Sequence, residues 1–487
     1  MNDLEPPIGV GHVPGWDRSA DVLVLGLGVA GVCAALEAHR SDADVLVIER
    51  ASAGGGASAT SEGIFYLGGG TSLQRDLAVE DSPDDMYAFM RASTTTPDDD
   101  MLRLFCDESP AHFDWLEAQG VPFERKAFIG KAVAVNTGEG LLSTGNEKVW
   151  PFRDIAKPAM RGHQTRAHPG ERGGIHAMNA LLATFAAEGI DAMYDTRVVG
   201  FVVDETGRVV GAKVRHAGED RWVEGRRGVI LATGSFNLND EMTSANLPVI
   251  GKYGTPLGIE TNDGAGVLLG ESVGVDTQGM DGVIATASIY PPADNIKGIV
   301  VNSLGRRFVA EDSYHGRLAW FVERQPDHRA WLILDEEIFG YPTKGSHTMV
   351  GGFETIAELE QELDMPAGSV AGTLAEYNRD VADGIDRQFR KHPDWLKALE
   401  PPFVAFDISI TSSDYHYISL GGLHADTYGR ALDASGQPVP GLYAVGACAA
   451  HFPQNGAEYA SGMSLGPGSF FGRRAGRHAA LGGGELA

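Results

Sequence analysis

The feature that most constrains this chain is a glycine-rich turn held between two short apolar runs near the N-terminus. The run Asp21–Leu25 has the composition of a buried parallel strand, and Asp44–Ile48 repeats it. Between them, Gly26-Leu27-Gly28-Val29-Ala30-Gly31 has the spacing G-x-G-x-x-G, and Gly31–His39 predicts a helix. Glu49 closes the second run. This order, within about 30 residues, predicts the first unit of a dinucleotide-binding α/β fold.

The glycines of the turn have separate physical roles. Gly26 makes the tight turn, Gly28 lets a pyrophosphate approach the backbone, and Gly31 lets the helix pack on the strand. The helix N-terminus adds N–H groups and the positive end of its dipole for the phosphates. Glu49 can accept hydrogen bonds from both hydroxyls of a ribose. The alternative is an ordinary glycine-rich turn with an unrelated acid, because the motif alone is weak support.

Three later segments favour FAD over NAD. Gly54–Ser61 places small residues just after the acid, where a bulky flavin could pass. Ala232-Thr233-Gly234 ends one predicted strand, and Gly446 ends another whose following loop would return to the cofactor. This order resembles the fumarate reductase/succinate dehydrogenase flavoprotein superfamily over nearly the whole chain. The resemblance implies FAD, and we expect it to be non-covalent because no histidine lies in Gly54–Ser61. The residues expected at the cofactor are Gly26, Gly28, Ala30, Gly31, Glu49, Arg50, Ser58, Ser61, Gly63, Val198, Ala232, Thr233, Gly234, Asp263, Gly446, Ser464 and Leu465.

The expected fold class is α/β, with a Rossmann-type, doubly wound FAD-binding domain and an inserted α+β catalytic cap domain. We expect residues 1–278 and 411–487 to form the FAD-binding domain and residues 279–410 to form the cap. The superfamily carries L-V-N-x-x-G-x-R-F-x-x-E in its inserted domain, and Ile299–Glu311 matches it here. A hairpin with an internal Arg–Glu pair would account for the same residues. Elsewhere, residue patterns predict helices over 80–120, a hairpin over Val198–Val214 and a terminal helix over Ser464–Ala480.

A second resemblance concerns the chemistry. Fumarate reductases have G-A-N-R-L-G-G near the C-terminus, where the arginine grips a dicarboxylate, but Gly456–Gly462 places Tyr459 at the arginine position. The segment Tyr459–Gly476 instead resembles the FAD-dependent 3-ketosteroid dehydrogenases, and the Δ4-(5α) branch in particular. Tyr66–Thr71 and Glu311–Tyr314 are similar to the same branch.

The resemblance implies that a C=C bond is introduced next to a ring ketone. A base takes the α-proton, which the carbonyl acidifies, and the β-hydrogen leaves as a hydride to the flavin. Tyr459 would be the base, with Tyr314 and Ser461 assisting, since a nearby hydroxyl can stabilise a phenolate and relay the proton. Backbone N–H groups near Ser464 and Leu465 would hold the flavin at a helix start. Without the resemblance, both tyrosines would be read as ordinary half-buried aromatics.

The substrate stays open between a 3-oxosteroid and a smaller cyclic ketone such as 4-oxocyclohexanecarboxylate. The stretch around Tyr415 and Tyr417 is more polar than a steroid slot would require, unless these side chains face solvent. Tyr415, Tyr417 and Gly462 are the expected substrate contacts. The alternatives are a fumarate-reductase-like enoate reductase and a non-catalytic flavin electron carrier.

Composition excludes several classes of partner. The net charge is −27, which would repel nucleic acid and anionic membrane. The thiols Cys33, Cys106 and Cys448 lie far apart without a C-x-x-C, so neither a disulfide framework nor a metal site is expected. These features favour a cytoplasmic enzyme. No second nucleotide fingerprint occurs, so direct exchange with NAD(P)H is not expected, and the electron acceptor stays open between quinone and oxygen.

Overall fold

The computed structural model describes residues 4–95, 98–166, 168 and 170–484. Its strands are β1 Ile8–Gly9, β2 Arg18–Leu25, β3 Val45–Ile48, β4 Ile64–Tyr66, β5 Leu141–Leu142, β6 Gly162–Gln164, β7 Asp191–Met193, β8 Thr196–Val203, β9 Val209–His216, β10 Glu219–Leu231, β11 Thr255–Pro256, β12 Thr277–Gln278, β13 Val283–Thr286, β14 Ile299–Asn302, β15 Ala330–Asp335, β16 Thr348–Phe353, β17 Phe403–Asp407, β18 His416–Ser419, β19 Gly422–Leu423, β20 Arg430–Leu432 and β21 Pro438–Ala444.

Its α-helices are α1 Val29–Arg40, α2 Gly56–Ala59, α3 Ser72–Asp76, α4 Pro83–Ser93, α5 Asp99–Ala118, α6 Phe152–Ile155, α7 Gly174–Ala187, α8 Asp240–Asn246, α9 Ile250–Tyr253, α10 Ala265–Ser272, α11 His315–Glu323, α12 Ile356–Glu362, α13 Ser369–Ala382 and α14 Leu465–Ala480. Among the described residues, no helix combines the length and the apolar character that crossing a bilayer would require.

The largest sheet has a parallel layer in the order β7-β3-β2-β10-β21. Its central strands are apolar throughout because both faces of a parallel sheet are covered; all four residues of β3 are buried. The predicted succession of strand, glycine-rich turn, helix and strand is confirmed as β2, α1 and β3.

The long strand β10 joins this layer to an antiparallel meander. Its first half, Glu219–Glu224, pairs with β9, and β9 pairs with β8 to form the predicted hairpin. Its last residues, Val229–Leu231, run parallel to β2 and β21. The register with β2 shifts between Gly225 and Gly228, where the strand passes from one kind of pairing to the other.

The terminal helix α14 packs directly on α1. A Cβ atom added at Gly472 would lie 2.4 Å from the carbonyl oxygen of Ala30, and one added at Gly476 would lie 2.1 Å from that of Ala34. Only glycine allows such an approach of two helix backbones. The contact brings the last helix of the chain against the helix that follows the glycine-rich turn.

A second hydrophobic core surrounds the antiparallel sheet β14-β15-β17-β16 and helices α11 to α13. This core also includes Phe236, Leu247 and Ile250 before the expected insert, and Tyr415 and Tyr417 after it. These five side chains, which lie outside the expected insert, thus pack with it. The domain bounds at 279 and 410 stay a prediction.

The segment Ile299–Glu311, which matches the superfamily motif, contributes β14 and the following turn to the antiparallel sheet. Its turn is closed by a hydrogen bond from Asn302 N to Arg306 O at 3.0 Å. Arg307 then pairs with Glu311 at 2.8 Å and with Asp386 at 3.0 Å, and Lys391 contacts Glu311 at 3.1 Å. The hairpin with an internal Arg–Glu pair is therefore present, and its charges are buried.

Candidate active site

One large cavity, of about 710 Å³, lies where the parallel sheet meets the second core. Leu25 and Ile48, the last residues of β2 and β3, line it from the sheet, and Tyr314 and His315 line it from α11. Sites in open α/β sheets lie beyond the carboxyl ends of the strands. The cavity occupies that place.

The glycine-rich turn forms one wall of the cavity. Gly26 has φ +103°, and a Cβ there would lie 2.5 Å from the carbonyl oxygen of Ala232. A Cβ at Gly31 would lie 2.0 Å from the oxygen of Gly26, so Gly31 packs behind the turn. Gly28 is the N-cap of α1 and has no capping side chain. The start of α1 therefore presents backbone N–H groups and a positive dipole end, which suit a pyrophosphate.

Glu49 is held rigidly at the same wall. Its Oε2 accepts from the backbone N–H of Leu27 at 2.7 Å, and its Oε1 accepts from that of Ala51 at 2.8 Å. The side chain is only 8% exposed. Because each carboxylate oxygen accepts more than one hydrogen bond, both keep capacity for the hydroxyls of a ribose. Beside it, Arg50 and Asp263 form an ion pair that also lines the cavity.

The structure brings nearly all of the expected cofactor residues together. Gly31 is the exception and supports the turn from behind. The lining contains Gly26, Gly28, Ala30, Glu49, Arg50, Ser58, Ser61, Gly63, Val198, Ala232, Thr233, Gly234, Asp263, Gly446, Ser464 and Leu465. A cavity of this volume, with a glycine-rich turn suited to phosphates and an acid suited to a ribose, fits FAD. Whether each residue contacts it stays a prediction.

The three expected catalytic residues line this same cavity. Tyr459 Oη lies 3.0 Å from Ser464 Oγ, and Tyr314 Oη lies 2.9 Å from Ser461 Oγ. The two phenol rings are 6.4 Å apart between centroids. Tyr314 and Ser461, which we expect to assist Tyr459, pair with each other here. The site thus has two separate hydroxyl pairs, Tyr459–Ser464 and Tyr314–Ser461.

Neither phenol ionises easily in this environment. Burial raises the pKa of Tyr314 well above its usual value, and the neighbouring Tyr459 raises it further. Burial also raises the pKa of Tyr459, although the hydroxyl and the backbone N–H of Ser464 partly offset this. Both phenols are therefore neutral at ordinary pH.

Tyr415 and Tyr417 lie elsewhere than expected. Tyr415 donates its hydroxyl proton to the carbonyl oxygen of Ile408 at 2.6 Å, and both tyrosines pack in the second core. Because side chains alternate along a strand, His416 and Ile418 face the cavity instead. Of the three residues expected at the substrate, Gly462 belongs to the lining that the structure describes.

Several lining residues were missed from the sequence. His315 lies beside Tyr314 in the chain and packs against its ring, with the centroids 4.0 Å apart and the ring planes tilted by 42°. His451 lies in the loop after Gly446, and its Nε2 is 3.2 Å from Ser464 Oγ. The signal for both was proximity in sequence to a predicted site residue. Asn262 gave the same signal because it directly precedes Asp263, whereas Thr286 gave none.

The comparisons with known proteins agree with this geometry. The profile of the FAD binding domain family matches residues 21–465. A solved structure, 3-ketosteroid-Δ4-(5α)-dehydrogenase from Rhodococcus jostii RHA1 in complex with 4-androstene-3,17-dione, is 38% identical with a TM-score of 0.92, covering 98% of this chain and 100% of that one.

Two curated relatives are more distant. The 3-oxo-5-alpha-steroid 4-dehydrogenase of Comamonas testosteroni is 28% identical, over 88% of this chain and 93% of the relative. A probable fumarate reductase of Shewanella frigidimarina is 26% identical, over 96% of this chain and 76% of the relative. The chain therefore belongs to the FAD-binding flavoprotein family that includes the ketosteroid dehydrogenases and the fumarate reductases, and it is an FAD-dependent oxidoreductase.

Proposed function

We propose that this protein desaturates a ring ketone, removing one hydrogen from the carbon next to the carbonyl and one from the carbon beyond it. The observation that carries the proposal is the presence of two tyrosine–serine pairs in the cavity lined by the dinucleotide-binding turn. When bound, FAD supplies the acceptor for the hydride. The chain itself has to hold the ketone and take the proton.

In this proposal the Tyr314–Ser461 pair holds the ketone oxygen. Two hydroxyls joined by one hydrogen bond use one of their two protons and keep the other free to donate. Donation to the ketone oxygen stabilises the negative charge that develops there when the α-proton leaves. Burial strengthens this donation because little water competes for it.

Tyr459 takes the α-proton. Its hydroxyl contacts Ser464 at the N-terminus of α14, where N–H groups and the helix dipole favour negative charge. Tyr459 is 6% exposed, so bulk water has little direct access to it. The role therefore needs a partner that can receive the proton that Tyr459 releases.

The substrate class is a cyclic ketone. The relationship to two steroid dehydrogenases over most of the chain favours a 3-oxosteroid. Ile284 and Ile418 give the lining apolar surface for such rings, whereas Thr286, His315 and His416 add polar groups that a smaller, more polar ketone would use. An enoate reductase is disfavoured because Tyr459 stands where fumarate reductases carry the arginine.

The test is anaerobic reduction of the purified holoenzyme by candidate ketones, and the loss of flavin absorbance measures the reduction. We expect saturated 3-ketosteroids or small cyclic ketones, screened side by side, to bleach the flavin. An enoate reductase would instead be reoxidised by an unsaturated acid, and an electron carrier would respond to neither. Quinone and oxygen can then be compared as acceptors in turnover.

Tyr459→Phe should keep FAD bound and lower the bleaching rate constant by about 10²–10⁴, the usual contribution of general acid–base catalysis. Tyr443→Phe is the matched control, because Tyr443 is also a buried tyrosine, bonded to His478 at 2.8 Å, and is absent from the cavity lining that the structure describes. A Tyr459→Phe enzyme with the control's rate would remove Tyr459 from the mechanism.

A further inference from the structure

The backbones of Tyr314 and Ser461 are both bonded to one short segment, Thr144–Glu147, which lies just after β5. The backbone N–H of Tyr314 donates to Asn146 Oδ1 at 2.9 Å. The backbone N–H of Ser461 donates to the carbonyl oxygen of Thr144 at 3.0 Å. These are the two residues whose hydroxyls lie 2.9 Å apart in the large cavity. One segment therefore holds both members of the Tyr314–Ser461 pair.

Asn146 also joins the two stretches of chain that carry the tyrosines of the cavity. Only an oxygen can accept from the N–H of Tyr314, so the amide nitrogen points to the carbonyl oxygen of Ala457, 3.5 Å away. Ala457 lies two residues before Tyr459. Asn146 is only 1% exposed, so bulk water cannot readily replace either contact. An amide suits this place because it carries an acceptor and a donor on one planar group.

A second link holds the segment from its other side. Tyr66 Oη donates to Glu147 Oε1 at 2.9 Å, and Glu147 Oε2 accepts from the backbone N–H of Gly145 at 3.1 Å. The phenol stays a donor because burial, and after it the charge of Glu147, raise the pKa of Tyr66 well above its usual value. Tyr66 also donates its backbone N–H to the carbonyl oxygen of Gly462, the residue after Ser461, at 3.1 Å.

Close packing leaves these segments little room to shift. A Cβ added at Gly145 would lie 2.7 Å from the Cβ of Ala460 and 3.1 Å from both carboxylate oxygens of Glu147. A Cβ added at Gly462 would lie 2.4 Å from the backbone nitrogen of Tyr66. Gly462 also has φ +102°, a backbone conformation that favours glycine. The contacts around Ser461 are therefore set by backbone approach as well as by hydrogen bonds.

We propose that Asn146, supported by Glu147 and Tyr66, is a positioning residue that fixes where the Tyr314–Ser461 pair meets the substrate. This inference rests on the proposed ketone desaturation, and it needs only that this pair touches the ketone. The hydrogen bonds and the chain between them form a closed ring, whose members are in order Tyr314, Asn146, Glu147, Tyr66, Gly462 and Ser461. A misplacement of about 1 Å at such groups can cost about 10²-fold in rate.

The ring acts on the Tyr314–Ser461 pair and not on the substrate itself. Tyr66, Asn146 and Glu147 are buried, and none of them is among the described residues that line the cavity. Tyr66 is also the first residue of the segment Tyr66–Thr71, which resembles the ketosteroid dehydrogenases. Its place in the ring gives this tyrosine a role that does not require contact with a ligand.

The first test compares two asparagines that each bond to backbone groups. Asn146→Ala removes the acceptor for the N–H of Tyr314, so the holoenzyme should keep FAD and lose about 10–10²-fold in flavin-bleaching rate at saturating ketone. The control is Asn378→Ala, because Asn378 holds the N–H and the carbonyl of Leu399 at 3.0 and 2.9 Å and is absent from the described cavity lining. Both changes should lower the unfolding free energy, whereas only Asn146→Ala should lower the rate.

Tyr66→Phe tests the ring at a second link. It keeps the aromatic side chain and removes only the hydroxyl that donates to Glu147, so we expect a smaller loss of rate in the same direction. Because Tyr66 and Asn146 act in series, the double variant should lose little more than Asn146→Ala alone. Tyr443→Phe, which removes the hydroxyl of a buried tyrosine bonded to His478, should leave the rate unchanged.

A further double variant separates positioning from a general loss of stability. In a Tyr314→Phe background no phenol hydroxyl remains to be placed beside Ser461, so adding Asn146→Ala should cost little further rate. Losses that simply multiply would overturn the proposal, and so would a wild-type rate in Asn146→Ala or in Tyr66→Phe. A wild-type holoenzyme that no ketone reduces would instead reject the proposed function.

Discussion

At the scale of residues, the site depends on which hydroxyl contacts which. Four of the residues that line the cavity carry hydroxyl groups that form the pairs Tyr459–Ser464 and Tyr314–Ser461. A hydroxyl both donates and accepts, so its role is decided by the partner that uses its proton. Ser464 also contacts the ring of His451, whereas Tyr314 and Ser461 are hydrogen-bonded to each other.

A double-mutant cycle tests this division. Tyr314→Phe and Ser461→Ala should each lower the flavin-bleaching rate by about 10²–10³, the usual loss when a donor to a developing oxyanion is removed. Since the two hydroxyls act as one hydrogen-bonded unit, the double variant should lose little more than the worse single variant. When Tyr459→Phe is combined with Ser461→Ala, the loss of rate should be closer to the product of the two single losses. Independent effects of Tyr314 and Ser461 would contradict the pairing.

At the scale of elements, two contacts hold the cavity walls in place. The first is the backbone contact between α1 and α14, which aligns the start of α1, where we expect the phosphates of FAD, with Ser464. The second is the buried charge cluster of Arg307, Glu311, Asp386 and Lys391. Glu311 lies three residues before Tyr314, so the cluster anchors the segment that carries this phenol.

Gly472→Ala tests the helix contact. The added Cβ would lie 2.4 Å from the oxygen of Ala30, so α14 must shift away from α1. We expect overpacking to cost about 1–3 kcal/mol and FAD to bind more weakly, measured by chemical unfolding and flavin titration. Gly372→Ala in α13 is the control, because its Cβ meets nothing within 4 Å. That change should stabilise by about 0.5–1 kcal/mol. Equal effects would show that the contact is unimportant.

Glu311→Gln tests the charge cluster. It leaves Arg307 and Lys391 with less compensating charge, and breaking a buried ion pair costs about 3–5 kcal/mol of unfolding free energy. The control is Asp383→Asn, because the Arg387–Asp383 pair is more than half exposed on both sides and should contribute about 0–1 kcal/mol.

The same cluster predicts how stability depends on pH. Burial tends to raise the pKa of Glu311, but Arg307 and Lys391 more than offset this, and the pKa is lowered overall. Arg307 likewise lowers the pKa of Asp386 against the effect of burial. Groups with lowered pKa values stabilise the fold above about pH 4 and lose that contribution as pH falls through the folded-state pKa. In Glu311→Gln, the unfolding free energy should therefore fall less steeply as the pH is lowered below about 4. An unchanged dependence on pH would contradict the contribution assigned to Glu311.

At the scale of the whole molecule, the cavity joins distant parts of the chain. The glycine-rich turn and the start of α1 line it on one side, and Tyr314 and His315 line it on another. A ligand that fills this cavity contacts both sides and stabilises only the folded state.

Removing FAD should accordingly lower the thermal midpoint. At a free concentration 1,000 times its dissociation constant, a ligand adds about 4 kcal/mol to the unfolding free energy. Differential scanning fluorimetry of the apoprotein should show a midpoint that rises with added FAD. NAD at the same concentrations should have little effect. A midpoint insensitive to FAD would argue that the large cavity is not its site.

Much of the nucleotide-binding half was predictable because its determinants are local. The strand, the G-x-G-x-x-G turn, the helix and the acid follow one another directly, so Gly26, Gly28 and Glu49 could be placed before any packing was known. The hairpin over Val198–Val214 and the terminal helix were found by the same local patterns. The phenols at Tyr314 and Tyr459 came from motif resemblance.

Only the tertiary structure decided which way the side chains near the cavity point and which hydrogen-bond partners they have. Tyr415 and Tyr417 were expected at the substrate, but strand alternation turns them into the second core and turns His416 and Ile418 toward the cavity. The pairing of Tyr314 with Ser461 joins positions far apart in the chain. The contact of Ser464 with His451 depends on how one loop folds back on itself. Local sequence determines which backbone shapes are available, whereas hydrogen-bond partners depend on distances that only packing sets.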